Sequence, residues 1–313
     1  MSASRGAIAR SDLVALILAA TFWGLGTVIS KSALDEIPPL TLLPIQLTVS
    51  LAVLLVLMRR QGLSIRGDGP PLLGRLGILN PGMAYALSLV GLVTISASMS
   101  VLIWAVEPIM ILILAGIFLR ERITPALAVL SLVALAGMVL VVLDPSSQGQ
   151  AIGVAFALAG VGCCAAYTVL TRRWLPEAAE TGQVVFAQQA HGLAFAAVLL
   201  AVVGVLGASV VPTSLTLNGV ASAVVSGALY YAGAYWFYLA ALRDVPASLA
   251  AMSFYLIPIV GIAAGALFLG ERLDPPQWVG VALVLGAVTA IYRLRQAGPE
   301  PTLATETVAQ PAR

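Results

Sequence analysis

Two stretches of this chain, residues 96–125 and 246–275, align with each other without a gap at an offset of 150 residues. Both close an apolar run with the same kind of exit, FLRERITP in the first copy and FLGERLDP in the second. In the same register Tyr85 aligns with Tyr235. The identical pairs are Ala97/Ala247, Ser98/Ser248, Pro108/Pro258, Ile109/Ile259, Phe118/Phe268, Leu119/Leu269, Glu121/Glu271, Arg122/Arg272 and Pro125/Pro275. Unrelated apolar segments would not readily share a mid-run proline and this exit, so we predict a duplicated unit of roughly 150 residues.

The composition indicates that this duplicated unit is embedded in a membrane. Hydrophobic residues make up 60% of the chain, charged residues make up 10%, and the mean hydropathy is +1.01. A soluble domain carries about 25% charged residues, so most of this chain must face lipid or other apolar helices. The net charge of +2 is spread over short turns, and it gives no reason to expect a nucleic-acid partner.

The cysteines and the histidine do not suggest a metal centre. The chain has two cysteines, the neighbours Cys163 and Cys164, and one histidine, His191. Adjacent helical residues point about 100° apart and cannot readily close an ordinary disulfide. One histidine with this cysteine pair does not provide the spacing of a Cys/His zinc site. We therefore expect no metal and no cofactor.

Apolar runs of spanning length alternate with short polar turns along the chain, and about 20 residues cross the hydrocarbon. The first run is too long for a signal-peptide core, and no small-residue cleavage site follows it. We predict an all-α integral membrane protein with ten transmembrane helices, at about 12–34, 40–58, 72–93, 96–119, 125–143, 151–172, 183–207, 217–241, 246–269 and 276–294. The first five-helix repeat covers 12–145 and the second 146–295, between a cytoplasmic segment 1–11 and a polar tail 296–313 predicted to be disordered.

The distribution of basic residues predicts the orientation. If the N-terminus is inside, every lysine and arginine except Lys31 and Arg272 falls in an inner segment. The positive-inside rule therefore predicts that both termini are cytoplasmic. We expect a multi-pass protein of a bacterial inner membrane, with lipid and a small-molecule solute as its partners, as a monomer or a weak homodimer.

Five helices per repeat is an odd number, so the second repeat must enter the membrane upside down relative to the first. In agreement, Glu121-Arg122 falls at an inner turn and its partner Glu271-Arg272 falls at an outer turn. Inverted repeats place a binding site near the midplane, at the repeat interface, and support alternating access. This architecture predicts a transporter without specifying its solute.

These features resemble the EamA-type transporters of the drug/metabolite transporter (DMT) superfamily. The resemblance rests on the two F-L-x-E-R-x-x-P exits, the FWG at Phe22–Gly24 and the AYTVLTRR at Ala166–Arg173. It implies a central cavity lined by the first, third, fourth, sixth, eighth and ninth helices. Similar members are mostly exporters of amino acids and related metabolites, one branch for aromatic amino acids, and the family also includes nucleotide-sugar and triose-phosphate carriers.

Polar and aromatic side chains within the spans are candidates to line this cavity, because their hydroxyl and indole groups need partners in hydrocarbon. Packing between helices is the alternative interpretation, and it remains open for Trp23, Trp104, Tyr231, Tyr235 and Trp236. Trp174 and Trp278 flank spans and fit an interfacial aromatic belt. The candidate solute-binding residues are Trp23, Thr27, Asn80, Tyr85, Ser100, Trp104, Tyr167, Tyr231, Tyr235, Met252 and Tyr255.

Four further residues are candidates for coupling and gating. An ionisable group within a span costs about 3 kcal/mol on insertion scales, so Glu107 could titrate with solute or protons, or could bond to a neighbouring hydroxyl. His191 is a second coupling candidate, although a packing role fits it better. Pro108 and Pro258 each remove a helical hydrogen bond, and they are either hinges of two gates or static kinks.

The motifs of other protein classes do not occur. The chain has no HExxH, no GxSxG and no mid-span aspartate, so an enzyme is not expected. A channel would normally show charged rings or a filter loop. Because the spans carry no central lysine or arginine, we expect neutral amino acids, including aromatic or large apolar ones. Small cationic or lipophilic compounds are the alternative, and sugar phosphates are less favoured.

Overall fold

The computed structural model describes residues 10–65, 71–118, 125–142, 150–174, 180–212, 214–242, 253–254 and 256–297. All regular structure within these ranges is helical. The helices are α1 (Arg10–Ala33), α2 (Pro39–Arg60), α3 (Pro71–Thr94), α4 (Ala97–Trp104 and Glu107–Phe118), α5 (Pro125–Val142), α6 (Gln150–Trp174), α7 (Thr181–Val205), α8 (Leu217–Ser226, Gly227–Gly233 and Ala234–Leu242), α9 (Leu256–Phe268) and α10 (Pro275–Ala297).

Several of these helices are long and apolar enough to cross a membrane. Within the described residues five segments meet this criterion: Ser11–Ala33, Pro39–Arg60, Pro71–Thr94, Ala151–Thr171 and Gly182–Val205. Two shorter apolar helices follow the same pattern, Ala97–Ile111 and Leu256–Phe268. The expectation of an all-α integral membrane protein is confirmed.

The helix contacts have the pattern that two inverted repeats produce. Each helix of the first half has a counterpart five helices later, so that α1 corresponds to α6 and α2 to α7. If every helix is replaced by its counterpart, the contact between α3 and α6 corresponds to the contact between α8 and α1. In the same way, the contact between α4 and α6 corresponds to that between α9 and α1, and the contact between α2 and α8 corresponds to that between α7 and α3. All six of these contacts are present, and the self-equivalent pairs α2–α7, α4–α9 and α5–α10 also pack together. The two halves therefore interleave around one approximate two-fold axis.

The central helices are interrupted at equivalent places. A π-helical turn occupies Leu79–Met83 in α3, and another occupies Gly227–Gly233 in α8. At the offset of 150 residues, the first turn maps within the second. Asn80 has extended backbone angles (φ −147°, ψ 119°), which break the α-helical pattern of α3. Such turns are frequent at functional sites.

The fourth and ninth helices break or begin just before their prolines. Pro108 has no amide hydrogen for the Trp104 carbonyl, and α4 accordingly breaks at Ala105 and Val106. The amides of Ile109 and Met110 both donate to the Val106 carbonyl, at 2.9 and 3.1 Å. In the second repeat α9 begins at Leu256, two residues before Pro258. The fourth helix is therefore interrupted just before Pro108.

Small residues bring the helices of the two repeats close together. A Cβ atom at Gly91 of α3 would lie 2.5 Å from the Gly153 carbonyl oxygen of α6, and one at Gly160 would lie 2.4 Å from the Ser88 hydroxyl. A Cβ atom at Gly137 of α5 would lie 2.8 Å from the Gly280 carbonyl oxygen of α10. Contacts this short require glycine, as expected for close packing of membrane helices.

The ends of the bundle can be named by the residues that meet there. The C-terminal ends of α1 and α3 and the N-terminal ends of α4 and α8 lie together, at the Lys31 end. At the opposite, Arg60 end, the Gln183 side chain donates to the Ser64 carbonyl oxygen at 3.1 Å. The turns that the charge distribution predicts to be outer therefore share one end of the molecule. Which side of the membrane that end faces remains a prediction.

Candidate functional site

A cavity lies between the two repeats, toward the Lys31 end. Five predicted residues, Thr27, Tyr85, Ser100, Trp104 and Tyr231, line it. The other lining residues are Ser30, Ser88, Leu89, Leu92 and Tyr230. The walls therefore combine hydroxyl groups, aromatic rings and aliphatic carbon, and these ten residues include no lysine or arginine.

The cavity is small and its hydroxyl groups are only partly satisfied. It has room for about one water molecule. Thr27 donates to the Trp23 carbonyl at 3.1 Å, and Ser30 accepts a hydrogen bond from Gln46 at 2.9 Å. The Ser88 hydroxyl, by contrast, has no hydrogen-bond partner among the residues that the structure describes. A solute of amino-acid size would have to separate the walls in order to enter.

Tyr85 is the centre of the aromatic wall. Its ring stacks on Trp104 with centroids 5.6 Å apart, and it meets Tyr230 and Tyr231 edge-on at 5.3 and 5.0 Å. Its hydroxyl lies 2.9 Å from the hydroxyl of Tyr235. This tyrosine pair is where the cavity ends on the side toward the Arg60 end.

A second aromatic cluster lies beyond the tyrosine pair. Trp23 meets Tyr235, Tyr238 and Phe254 edge-on, with centroids 5.5, 5.5 and 5.4 Å apart, and the Tyr238 and Phe254 rings are 5.0 Å apart. The Trp23 side chain is 7% exposed, and its indole nitrogen has no hydrogen-bond partner among the described residues. Trp23 and Tyr235 therefore pack between helices α1, α8 and α9, and they lie outside the cavity lining. We call Trp23, Tyr235, Tyr238 and Phe254 the aromatic cluster.

A chain of polar side chains continues from the tyrosine pair toward Glu107. The Asn80 amide nitrogen lies 3.4 Å from both the Tyr235 hydroxyl and the Cys164 sulfur. The Cys164 thiol in turn donates a hydrogen bond to the Glu107 carboxylate. The Asn80 side chain is buried, and within the described ranges its oxygen atom has no hydrogen-bond partner. Both repeats thus contribute to one polar network close to the predicted midplane.

The other predicted site residues are distributed as follows. The Tyr167 hydroxyl donates to Gln188 at 2.7 Å, which connects α6 to α7. His191 contacts the carbonyl of Ala187 on its own helix at 2.8 Å and lies beside Gly74, away from the cavity. Met252 and Tyr255 lie outside the described residues, and so does the side chain of Pro108. The structure therefore brings five of the candidates to the cavity and others to the neighbouring networks.

Several residues near the site were not predicted from the sequence, among them Ser30, Ser88, Tyr230 and Cys164. Helical spacing placed Tyr231 on the inner face of α8 and left Tyr230 off it. The π-helical turn at Gly227–Gly233 changes this spacing, because it contains an extra residue per turn, and both tyrosines line the cavity. Ser88 lies one turn after Tyr85 on α3, so the same helical rule would have found it.

Charged residues close the Lys31 end. The Lys31 ammonium group donates to the carbonyl oxygens of Leu92, Val93 and Ile95 at 2.6, 3.1 and 2.9 Å. It therefore satisfies carbonyls at the C-terminal end of α3, where the helix dipole favours a cation. Lys31 therefore caps the C-terminal end of α3.

Two carboxylates cap helix N-termini at the same end. Glu271 accepts hydrogen bonds from the Ala97 amide at 2.7 Å and from the Ser98 amide and hydroxyl at 2.9 and 2.6 Å. Glu36 accepts from the Thr216 amide at 2.8 Å and from its hydroxyl at 2.5 Å. The Thr216 hydroxyl, followed by its amide, lowers the pKa of the Glu36 carboxyl. Carboxylates from loops of both repeats thus bind the N-terminal ends of α4 and α8.

Comparison with known proteins decides the family. The model of the EamA-like transporter family matches residues 10–143 and again residues 151–293. The chain belongs to the EamA-like transporter family. These transporters are part of the DMT superfamily, and the two matches correspond to two copies of one unit in the chain.

Individual relatives and structures agree with this membership. An uncharacterized transporter of Archaeoglobus fulgidus (strain ATCC 49558) is 26% identical over 287 residues, which cover 90% of this chain and 99% of the relative. The uncharacterized transporter YwfM of Bacillus subtilis (strain 168) is 26% identical over 280 residues, covering 86% and 90%. A crystal structure at 19% identity and a TM-score of 0.64 covers 92% of this chain and all of that chain, which supports the fold.

Proposed function

We propose that this EamA-like transporter moves neutral amino acids, including aromatic and large apolar ones, across a bacterial inner membrane, as an exporter or a facilitator of diffusion. The observation that carries the proposal is the lining of the cavity between the repeats. Aromatic rings from Tyr85, Trp104 and Tyr231 stand beside the hydroxyl groups of Thr27 and Ser100.

Each part of a zwitterionic amino acid has a counterpart in this lining. An ammonium group is attracted to the face of an aromatic ring, and a carboxylate accepts hydrogen bonds from hydroxyl groups such as that of Ser88. An apolar side chain can pack on Leu89 and Leu92, which belong to the same wall. The lining therefore suits a solute that is polar at one end and apolar at the other.

A phosphate-carrying solute fits this lining poorly. Transfer of a phosphate dianion into a low-dielectric cavity requires charge-assisted partners, usually arginine or lysine. Among the described residues that line the cavity there is neither. Lys31 lies nearest along α1, but its ammonium group already donates to the three carbonyls at the end of α3. These contacts favour a solute without phosphate.

The proposed transport mechanism is alternating access. The capping contacts of Lys31 and Glu271 hold the Lys31 end closed, and the aromatic cluster packs tightly toward the Arg60 end. Opening of either end exposes the space beside Tyr85 to one side of the membrane at a time. The kinks at Pro108 and Pro258 are the proposed hinges. On the predicted orientation the Lys31 end is extracellular and both termini are cytoplasmic.

A small cationic or lipophilic compound is the second candidate solute. The observation that favours it is Glu107, a carboxylate within α4 that contacts the Cys164 thiol. A carboxylate this far inside a predicted membrane span attracts cations. The aromatic cluster would then accommodate a flat apolar ring.

Counterflow into liposomes tests the proposal. Purified protein is reconstituted with unlabelled phenylalanine inside, and entry of labelled phenylalanine, threonine, a sugar phosphate or a quaternary ammonium dye is followed. We expect saturable entry of both amino acids. Strong exchange of the sugar phosphate, or entry of the dye without any amino-acid flux, would refute the assignment.

A pair of variants links the flux to the cavity. Ser100→Leu fills the space beside Tyr85 with extra aliphatic carbon, and it should remove most of the counterflow. Val198→Leu enlarges a side chain on α7 that is 64% exposed, away from the cavity, and should leave the flux unchanged. Equal flux in the two variants would place the pathway elsewhere in the molecule.

A further inference from the structure

A second polar site lies beyond the tyrosine pair, on the side away from the cavity. Glu107 of α4, Cys164 of α6 and Asn80 of α3 meet there, each from a different helix. On α4, Glu107 lies about one turn past Trp104, and on α3, Asn80 lies more than one turn before Tyr85. The cavity and this group are therefore arranged in series along the proposed pathway.

No cation faces the Glu107 carboxylate within the described part of the chain. The titratable groups that interact with it are Cys164 and Tyr167 on α6 and Tyr230 and Tyr238 on α8. Thiols and phenols are neutral weak acids near pH 7. Helices α5 and α9, as described, contain no titratable residue, and the charged residues of α1 lie at its ends. The carboxylate is therefore without an internal counter-ion.

Asn80 adds an independent reason to expect a ligand at this site. Its side chain is 2% exposed, and its Oδ1 atom accepts no hydrogen bond from the described part of the chain. A buried acceptor without a donor costs free energy. Its Nδ2 atom faces Cys164, which also contacts Glu107. One buried acceptor and one carboxylate, both lacking a charged donor, match a group that carries several N–H donors and a positive charge.

We propose that Glu107 and Asn80 form an ammonium-binding site, which holds the amino group of a transported solute or, when no solute is bound, a proton on Glu107. The proposal rests on the proposed transport function, because it assigns a second binding site to the same transport pathway. When an ammonium group binds, the carboxyl proton passes to water on the open side, so one proton is exchanged for one positive charge.

The site is connected to the cavity by hydrogen bonds. Asn80 contacts the Tyr235 hydroxyl at 3.4 Å, and Tyr235 contacts Tyr85 of the cavity wall at 2.9 Å. An ammonium group that draws Asn80 toward itself changes the contact that Asn80 makes with Tyr235. Occupation of the site therefore changes the contacts of the tyrosine pair, which lies between the site and the cavity.

Carbodiimide labelling tests the site without requiring transport. A hydrophobic carbodiimide reacts with a protonated carboxyl group in apolar surroundings, and mass spectrometry identifies the modified glutamate in the reconstituted protein. We expect modification of Glu107 at mildly acidic pH and much less at alkaline pH. In the matched control, Asp274, which is exposed at the start of α10, should remain unmodified at every pH. If Glu107 is not modified at any pH, the proposal is wrong.

Protection by simple ligands then tests the ammonium group. Phenylethylamine carries the aromatic ring and the ammonium group, whereas phenylacetate carries the ring and a carboxylate. Phenylethylamine should protect Glu107 from the carbodiimide, and phenylacetate should not. Asn80→Ala should weaken the protection by about tenfold, because a hydrogen bond to a charged donor is lost, while Glu107 still reacts. Equal protection by the two ligands, or none by phenylethylamine, would overturn the ammonium site.

The two proposals fail separately. Loss of amino-acid counterflow with intact labelling and protection would refute the amino-acid assignment and leave the ammonium site standing. Counterflow of phenylalanine with no modification of Glu107 would refute the ammonium site and leave the amino-acid assignment standing. Glu107→Gln gives a further check in the counterflow assay, because its rate should no longer respond to a pH gradient across the liposome.

Discussion

The hydroxyl groups of Tyr85 and Tyr235 lie 2.9 Å apart, and these two tyrosines occupy equivalent positions of the two repeats. Residues related by a two-fold axis can contact each other only close to that axis. The tyrosine pair therefore marks where the approximate axis crosses the bundle. Because the cavity lies on one side of the pair and the Glu107 site on the other, the halves of the pathway differ although the fold repeats.

The tyrosine pair should behave as one unit when its hydroxyl groups are removed. Tyr235→Phe removes the hydroxyl that both Tyr85 and Asn80 contact, and we expect it to cost about 1–3 kcal/mol of stability. Tyr85→Phe should cost less, because Tyr235 keeps its contact with Asn80. The double variant should cost less than the sum of the two. Thermal unfolding in detergent measures these differences, and strictly additive effects would show that the hydroxyl groups do not interact.

The aromatic cluster should control access from the Arg60 end. The natural thiol Cys164 is buried and reports on this region, in a Cys163→Ser background that leaves it as the single cysteine. Phe254→Ala removes a ring that packs on Trp23 and Tyr238, so a small polar thiol reagent should modify Cys164 several-fold faster. Phe118→Ala removes a ring that is 62% exposed on α4, and it should leave the rate unchanged. The same rate in both variants would exclude a gating role.

The two prolines should affect opposite gates. Pro108→Ala supplies an amide donor for the carbonyl of Trp104, in the cavity wall, and Pro258→Ala supplies one for the carbonyl of Phe254, in the aromatic cluster. A hydrogen bond gained in each case should straighten the helix and preserve or raise stability. We expect counterflow to fall several-fold in both, with opposite changes in the reactivity of Cys164. Wild-type flux in both variants would leave the prolines as static kinks.

The contact between Glu36 and Thr216 should depend on pH. Hydrogen bonds from Thr216 lower the pKa of Glu36, so the folded state favours the carboxylate. The stabilisation is then fully present above the ordinary glutamate pKa and is lost as the pH falls through the lowered pKa. Glu36→Ala should therefore lower the melting temperature slightly at neutral pH, and the difference from the wild type should shrink in acid. A difference that is constant with pH would contradict this.

Much of the fold could be predicted because hydropathy and duplication act over long stretches. Runs of about 20 apolar residues have few alternatives in a membrane, and the shared exits at Glu121 and Glu271 set the repeat boundaries. The contact of Glu271 with Ala97 and Ser98 gives a physical reason for this motif, since these residues are also identical in the second copy. The sequence indicated the repeat but not the partners of its carboxylate.

The site was harder to predict because it depends on local departures from regular helices. Helical spacing assumes a constant rotation per residue, and the π-helical turn in α8 violates it at Tyr230. Trp23 was a candidate either for the cavity lining or for packing between helices, and the rings of Tyr235 and Phe254 meet it edge-on. Cys164 was treated only as a thiol unable to form a disulfide, since its contact with Glu107 links two helices that are far apart in sequence.

The narrowness of the cavity affects how strongly a solute can be held. Since the space beside Tyr85 has room for about one water molecule, only wider conformations of the protein can bind. The observed dissociation constant then equals the intrinsic one divided by the fraction of molecules that are wide enough, so a fraction of about one per cent weakens binding about a hundredfold. Millimolar affinity would therefore reflect the closed walls as much as the fit of the solute, and a variant that widens the cavity would bind more tightly while releasing its solute more slowly.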